Sequence, residues 1–197
     1  MYDIAIIGAG PAGASAAMFT AKAGKKTALV DDDKGITRRA WIENHYPLEG
    51  VTGTDLVERG LRQAARLGAQ LVRGTVEQVE RRTAGEPGFV LRLADGTTLE
   101  AGTLLLATGV NTELAKRMGV PTKPASEPRI KEVVEVDSQG RTPLEGVWAA
   151  GVVAGTSVHT IVTAGDGARV AINWLSQLAG QRYVQHDAIQ KPEKQSV

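Results

Sequence analysis

The chain has no cysteine among its 197 residues. This absence excludes disulfide bonds, thiolate nucleophiles, Cys-x-x-Cys redox pairs and iron–sulfur clusters held by cysteine. It also excludes the zinc sites that depend on thiolate ligands. The three histidines are far apart in the sequence and lack a metal-ligand spacing, so we expect no metal site; they are His45, His159 and His186.

An excess of charge of one sign and a long apolar run are also missing. The 23 basic and 22 acidic residues leave a formal net charge of +1, which favours neither nucleic acid nor an anionic membrane as a partner. No apolar run reaches membrane-spanning length. The first predicted strand begins at residue 2, which leaves no room for a signal peptide, and we therefore expect a cytoplasmic protein.

The most informative feature that is present is a glycine turn near the amino end. A short apolar run at 4–7 predicts a buried parallel strand, and Gly8-x-Gly10-x-x-Gly13 and a helical pattern over 11–23 follow it. A dinucleotide-binding crossover requires strand, glycine turn and helix in this order. The free N–H groups of the first helical turn would then face a pyrophosphate.

An acidic residue at the end of the second predicted strand, 27–30, agrees with this interpretation. Asp31 lies 31 − 8 = 23 residues after Gly8, close to the position of the acid that binds an adenosine ribose hydroxyl. An acid there also repels a 2′-phosphate, so NADP is disfavoured as the ligand of this site. The alternative is an ordinary glycine turn beside a solvated acidic run.

The remaining patterns predict an α/β, Rossmann-like domain. Strands near 4–7, 27–30, 71–73, 103–107 and 147–149 would form a parallel sheet with helices on one face. A three-stranded antiparallel meander at 75–82, 88–93 and 97–101 would cover the other face. A helix that Thr52 or Thr54 caps is expected to end at about residue 67, and two further helices are expected at 113–118 and 160–179. Residues 34–51 are predicted as irregular, 130–136 as a strand and 181–197 as a polar tail.

Three separated motifs together resemble one family. They are GAGPAG at 8–13 with Asp31, LLLATG at 104–109, and GVWAAG at 146–151 followed by HTIVTAGDG at 159–167. In this order they resemble the FAD-binding domain of the thioredoxin reductase family of flavoprotein disulfide reductases. The stretch ENHYP at 43–47 is similar to that family's Asn–aromatic–Pro loop, with one extra residue. The resemblance covers residues 2–179 and implies an FAD-binding domain over 1–180.

The resemblance also implies where FAD would lie. The glycine turn would hold the pyrophosphate, Asp31 the adenosine ribose, and the backbone of Val76 the adenine. Asn44 would lie near the flavin, and the start of the last helix would approach its pyrimidine edge, where helix N–H dipoles favour the anionic reduced form. The implied cofactor-binding residues are Gly8, Gly10, Pro11, Ala12, Gly13, Asp31, Asn44, Val76, Thr108, Gly109, Gly151, His159, Thr160 and Ile161.

Three departures from the family change what the resemblance implies. Only about residues 110–129 stand where the family has its NAD(P)H domain, and the redox Cys-x-x-Cys pair is absent. Val152 stands where the family has an Asp that bonds a ribityl hydroxyl. Its loss would weaken FAD binding by ~1.5–3 kcal/mol, unless a neighbour such as Asp166 or a backbone group compensates.

Two other positions allow two interpretations each. His159 could tune the flavin or shuttle a proton, or it could be a surface histidine before a helix. Arg38 and Arg39 could meet the pyrophosphate or a substrate anion, or they could be a solvated basic pair.

Three functional hypotheses follow. The first is a single-domain flavoprotein oxidoreductase that binds FAD and takes electrons from NAD(P)H or a separate donor protein. A homodimer is expected with it, because the missing domain exposes an apolar face. The second is a redox-silent flavin- or nucleotide-binding regulatory module, and the third is an NAD-binding domain with a different reaction. The sequence assigns no catalytic acid, base or nucleophile.

Overall fold

The computed structural model describes residues 1–82, 84–185 and 187. Its strands are β1 (Tyr2–Ile7), β2 (Thr27–Asp31), β3 (Trp41–Ile42), β4 (Val51–Thr52), β5 (Gln70–Arg73), β6 (Val76–Arg81), β7 (Phe89–Leu93), β8 (Thr98–Leu106), β9 (Thr122–Pro124), β10 (Glu132–Val134) and β11 (Val147–Ala149). Its helices are α1 (Pro11–Lys22), α2 (Gly53–Arg66), α3 (Glu113–Arg117) and α4 (Thr160–Ala179), and 3-10 turns lie at Ile36–Arg39 and Val152–Ala154.

The predicted parallel sheet is confirmed, with the strand order β5-β2-β1-β8-β11. Ile4 of β1 lies beside Thr27 of β2 on one side and Thr103 of β8 on the other. Because the carboxyl ends of parallel strands lie at one edge of a sheet, the turns after β1, β2, β8 and β11 meet there.

Alternating side chains divide the core into two layers. From β1, Ile4 and Ile6 pack with the helices, whereas Ala5 and Ile7 pack with the meander. On the helical side, α1 and α4 approach backbone to backbone, because a Cβ at Gly167 of α4 would overlap the carbonyl of Ala12. The predicted arrangement, with helices on one face and the meander on the other, is therefore confirmed.

The antiparallel part corrects the prediction in one respect. The strands predicted at 97–101 and 103–107 are one continuous strand, β8. Its first half pairs antiparallel with β7, where Leu99 lies opposite Leu91, and its second half pairs parallel with β1, where Leu105 lies beside Ile6. Because each half has its own partner strand, the backbone stays extended through Gly102 and needs no turn.

Smaller corrections concern the connecting segments. Residues 34–51, predicted as irregular, contain the 3-10 turn Ile36–Arg39, the strand β3 and the first residue of β4, with which β3 pairs antiparallel. The strand predicted at 130–136 is shortened to β10, which pairs antiparallel with β9. Of the two predicted caps for α2, Thr52 fills the role, since its Oγ1 accepts from the N–H of Asp55 at 3.1 Å.

The carboxyl end of α4 agrees with its predicted limit, with Gly180 in a left-handed conformation after Ala179. The predicted tail at 181–197, with His186, lies mostly outside the described residues. Within the part of the chain that the structure describes, no helix has the length and apolar character needed to cross a membrane.

Candidate functional site

A cleft of about 560 Å³, here called the main cleft, opens at the edge where the parallel strands end. Its walls are the turn after β1, the end of β2 with the following 3-10 turn, and the segment after β8. The volume is typical of small-molecule sites. Six charged residues of both signs line it: Asp31, Asp32, Lys34, Arg38, Glu113 and Arg117.

The turn after β1 is built by close backbone approach. Gly8 has a φ of +103°, and its N–H donates to the carbonyl of Val30 at 2.9 Å. A Cβ at Gly8 would lie 2.8 Å from the carbonyl carbon of Ala107, and one at Gly13 would overlap the carbonyl of Gly8. At Gly10, in contrast, a Cβ would have no heavy atom within 4 Å. Of the three glycines, only Gly10 therefore faces open space, and it is a lining residue of the main cleft.

The amino end of α1 points its N–H groups toward this space. No side chain of the described residues caps α1, and its first turn carries no acidic residue. The N–H groups of a first helical turn have no intrahelical partner, and the helix dipole adds partial positive charge there. This end of the main cleft is therefore suited to an anion.

At the end of β2, Asp31 is tied to Arg38. Asp31 is 9% exposed, and its Oδ2 accepts from the guanidinium of Arg38 at 3.2 Å. The same guanidinium contacts Asp33 at 2.7 Å and Glu58 at 2.9 Å. Burial opposes the charge of Arg38, but the hydrogen bond to Glu58 and the charges of Asp33 and Asp31 raise its pKa further above its ordinary value. Arg38 thus stays charged and joins β2 to α2.

The turn after β11 is held by a side chain instead. Gly151 has a φ of +78°, and its N–H donates to Oδ2 of Asp166 at 2.7 Å. The hydroxyl of Thr156 donates to the same oxygen at 2.9 Å, while Arg169 donates twice to the other oxygen. Both oxygens of Asp166 are therefore engaged within the protein. The adjacent Val152 is 8% exposed and lines the main cleft with an apolar side chain.

A histidine links the 43–50 segment to α4. Nδ1 of His45 lies 2.9 Å from Oγ1 of Thr160, 115 residues away in sequence. Partial burial lowers the pKa of His45 below its ordinary value of 6.5. His159, the residue before α4, instead pairs with Ser157 through Nδ1 at 2.9 Å.

The structure brings most of the predicted cofactor-binding residues to one cleft. Eight of them line it: Gly8, Gly10, Pro11, Ala12, Asp31, Val76, Thr108 and Gly109. Gly13 is buried behind the turn. Four others, Gly151, His159, Thr160 and Ile161, do not line the cleft, although their neighbours Ala150, Val152, Val158 and Thr163 do. Asn44 is exposed and lies outside the main cleft.

Sequence patterns missed several lining residues. Lys34 and Arg117 line the main cleft, and Arg117 also donates to the backbone carbonyl of Glu77 at 3.1 Å. No periodicity or motif marks either residue, since both follow from the path of connecting segments. Among the described residues, no group of three or more His, Asp or Glu side chains is placed to hold a metal ion.

Comparison with known proteins gives a consistent result. The sequence profile of the family described as "Pyridine nucleotide-disulphide oxidoreductase" matches residues 2–64 and 63–168. The thioredoxin reductase of Aquifex aeolicus (strain VF5) is 34% identical over 125 residues, 60% of this chain and 37% of that protein. The thioredoxin reductase of Helicobacter pylori (strain J99 / ATCC 700824) is 35% identical over 127 residues, 61% of this chain and 38% of that protein. The chain thus matches less than two fifths of the length of these relatives.

A solved structure shows the same fold. The atypical thioredoxin reductase TRi from Desulfovibrio vulgaris Hildenborough superposes with a TM-score of 0.73 at 21% identity, covering 91% of this chain and 99% of that chain. The superposition covers 91% of this chain, whereas the two sequence alignments cover 60% and 61% of it.

Proposed function

Because this chain belongs to the pyridine nucleotide-disulphide oxidoreductase family, we propose that it is a flavoprotein oxidoreductase that holds FAD noncovalently in the main cleft. Its electrons come from outside this domain, either from a diffusible reduced nicotinamide or from a separate donor protein. The family and the thioredoxin reductase relatives imply the flavin. The identity of the donor and the assignment of residues 1–180 as the FAD-binding unit are parts of the proposal.

The observation that carries the proposal is the open space at Gly10. A diphosphate requires both close approach to the backbone and unpaired N–H donors. Gly10 lines the main cleft, a Cβ there would have no heavy atom within 4 Å, and the uncapped amino end of α1 begins at the next residue. The residues present therefore fit a pyrophosphate at this point.

The rest of the main cleft supports one direction for the cofactor. Asp31 at the end of β2 and Val76 at the start of β6 line it on one side of Gly10. Ala150, Val152 and Thr163 line it on the other side. We assign the adenosine to the first side and the flavin to the second, near Thr160 and Ile161. When bound, FAD supplies the capacity to take up and release two electrons.

The electron acceptor is not a disulfide of these residues. The sequence contains no cysteine, so the chain supplies no redox pair of its own. Residues 110–146 contain only α3 and the β9–β10 hairpin between β8 and β11. Nothing in this segment resembles a second βαβ unit for a nicotinamide nucleotide, which supports an external donor. We also propose a homodimer, to be checked by light scattering.

A second candidate function has one observation in its favour. Val152 presents an apolar side chain to the main cleft where the family has an Asp, and Asp166 does not replace that Asp because its oxygens are already engaged. Weaker binding at the flavin end would suit a nucleotide-binding regulatory module without redox turnover.

One experiment separates these possibilities. The purified protein is examined by visible spectroscopy and then denatured, and the released nucleotide is identified. A yellow protein that releases stoichiometric FAD, and that NADH or NADPH bleaches under anaerobic conditions, is the expected result. Bound FAD that no donor reduces would favour the regulatory module. A colourless protein that does not take up added FAD would contradict the flavoprotein proposal and would favour a redox-silent nucleotide-binding module.

A further inference from the structure

The outer face of α2 carries a row of arginines, here called the arginine row. Its members, Arg59, Arg62 and Arg66, are spaced by three and four residues, so they lie on one line along the helix. All three are exposed, and the line is opposite the buried positions Val57 and Leu61. At a rise of about 1.5 Å per residue, the row is about 10 Å long.

The arginines around α2 differ from those elsewhere in the chain. Within the described residues, eight arginine side chains make a hydrogen bond or an ion pair: Arg38, Arg81, Arg82, Arg92, Arg117, Arg141, Arg169 and Arg182. Six others in the same part of the chain make none: Arg39, Arg59, Arg62, Arg66, Arg73 and Arg129. Five of these six lie on α2, in the 3-10 turn that Arg38 joins to it, or in β5, the strand after it. Unpaired guanidinium groups are thus concentrated around one helix.

The acidic residues of α2 do little to neutralise the arginine row. The helix contains two, Asp55 in its first turn and Glu58, and the carboxylate of Glu58 accepts from Arg38 at 2.9 Å. Like charges three and four residues apart destabilise a helix slightly. The row therefore does not stabilise α2 in the isolated chain, and carboxylates supplied from outside would relieve its repulsion.

The shape and charge of this face restrict the anion that it can bind. None of the three arginines is among the described residues that line the main cleft, and the outer face of a helix is convex. A second copy related by a two-fold axis through the face would set arginine against arginine. The 23 basic and 22 acidic residues of the chain nearly cancel, which does not favour nucleic acid. Guanidinium groups bind carboxylates through two parallel hydrogen bonds, so a row of carboxylates on a protein fits best.

We propose that the arginine row is a docking surface for a partner protein that presents carboxylates along one face, as an acidic helix does. Each guanidinium donates to a carboxylate of the partner. The inference goes beyond the proposed function and does not depend on a bound cofactor. Because the contacts join exposed charges, the association should weaken as salt is added.

The test uses a fluorescein-labelled, alanine-rich helical peptide with all its glutamates on one face. It is titrated with the purified protein at low salt and followed by fluorescence anisotropy, and a control peptide of the same composition has its glutamates distributed around the helix. We expect Arg59→Gln, Arg62→Gln and Arg66→Gln each to lower the affinity roughly threefold, the size of an exposed ion pair, and the triple variant to lower it about tenfold or more. Arg129→Gln removes an exposed arginine between β9 and β10 and is the matched control, with an expected change below about twofold.

Urea unfolding, FAD content and subunit number of each variant distinguish docking from a structural role. Unchanged values, together with the loss of affinity for the one-faced peptide, support the proposal. A lower urea midpoint, lost FAD or a changed subunit number in the variants would overturn it, and so would no binding of that peptide by the unmodified protein. Equal binding of the two peptides, an equal loss in Arg129→Gln, or tighter binding of a short DNA duplex would also overturn it, because net charge alone or nucleic acid would then explain the row. Peptide binding by a protein that never takes up FAD would refute the proposed function and leave the docking surface intact.

Discussion

Two turns that lead from a strand to a helix meet at the main cleft, and they are held by different means. The turn after β1, residues 8–13, is held by backbone against backbone, and a Cβ at Gly13 would overlap the carbonyl of Gly8. The turn after β11, residues 151–156, is held by the carboxylate of Asp166, which accepts from Gly151 and Thr156. The first turn therefore depends on the absence of a Cβ at Gly13, and the second depends on the Asp166 side chain of α4.

This difference determines how much stability a substitution in each turn should cost. A backbone contact cannot move aside without displacing the strand and the helix that it joins, so any added atom in the first turn strains both. A charged hydrogen-bond network can be weakened in steps, because one partner may be removed while others remain. The two turns should thus respond differently to substitutions of similar size.

The largest expected effect is that of Gly13→Ala. The new Cβ would overlap a backbone carbonyl, which cannot rotate away as a flexible side chain can. We expect the free energy of unfolding to fall by about 3 kcal/mol or more. Guanidinium unfolding, followed by circular dichroism, measures the change.

Gly10→Ala is the matched control for Gly13→Ala. Its Cβ would meet no atom within 4 Å, so the free energy of unfolding of the apoprotein should change by less than about 0.5 kcal/mol. FAD retention should nevertheless be lost, because the methyl group occupies the space assigned to the pyrophosphate. Equal destabilisation by the two substitutions would show that this turn is not held by backbone contact at Gly13.

The next largest effect is expected from Asp166→Ala. The substitution leaves the N–H of Gly151 without its acceptor and removes the oxygen, Oδ1, that accepts two hydrogen bonds from Arg169. Because the Asp166 side chain is only 10% exposed, we expect a loss of about 2–3 kcal/mol in the free energy of unfolding. Asp166→Asn keeps one acceptor oxygen and should lose about half as much. If the alanine and asparagine variants were both as stable as the unmodified protein, Asp166 would not hold the second turn.

The contrast between the turns also explains what could be predicted from the sequence. The first turn is a local pattern, since the strand, three glycines and the helix are adjacent in the chain. The second turn depends on Asp166, which lies 15 residues beyond Gly151, and no spacing rule connects the two. The sequence suggests Asp166 as a compensating ligand for a ribityl chain, but both of its oxygens accept hydrogen bonds within the protein.

The same distinction applies to the fold. Apolar runs and turn residues predicted the parallel strands and the antiparallel pairing of 88–93 with 97–101, because both signals come from residues that are neighbours in the chain. The continuity of β8 through Gly102 could not be predicted in this way. It depends on which strands pair with each half, and β1 lies about a hundred residues away in the chain.

A smaller effect is expected at the end of β2, which resembles the second turn because a charged side chain holds it. Arg38→Gln leaves Asp31, Asp33 and Glu58 without their shared cation. The Arg38 side chain is 14% exposed, so we expect a loss of about 1–2 kcal/mol in the free energy of unfolding at low salt, and less at high salt. The adjacent Arg39 is exposed, and Arg39→Gln should change stability by less than about 0.5 kcal/mol. Equal effects from the two variants would favour a solvated basic pair.

The smallest effect concerns His45, which ties the 43–50 segment to Thr160 beside the second turn. Burial lowers the pKa of His45 in the folded protein below its ordinary value of 6.5, so the unfolded chain binds a proton more readily. The free energy of unfolding should therefore decline as the pH falls below about 6.5 toward the lower folded pKa, and remain unchanged by this group above that pH. Thermal unfolding of the unmodified protein and His45→Asn between pH 8 and pH 5 measures the difference. The unmodified protein should lose stability more steeply than His45→Asn as the pH falls over this interval. Parallel pH profiles of the two proteins would show that burial does not lower the pKa of His45.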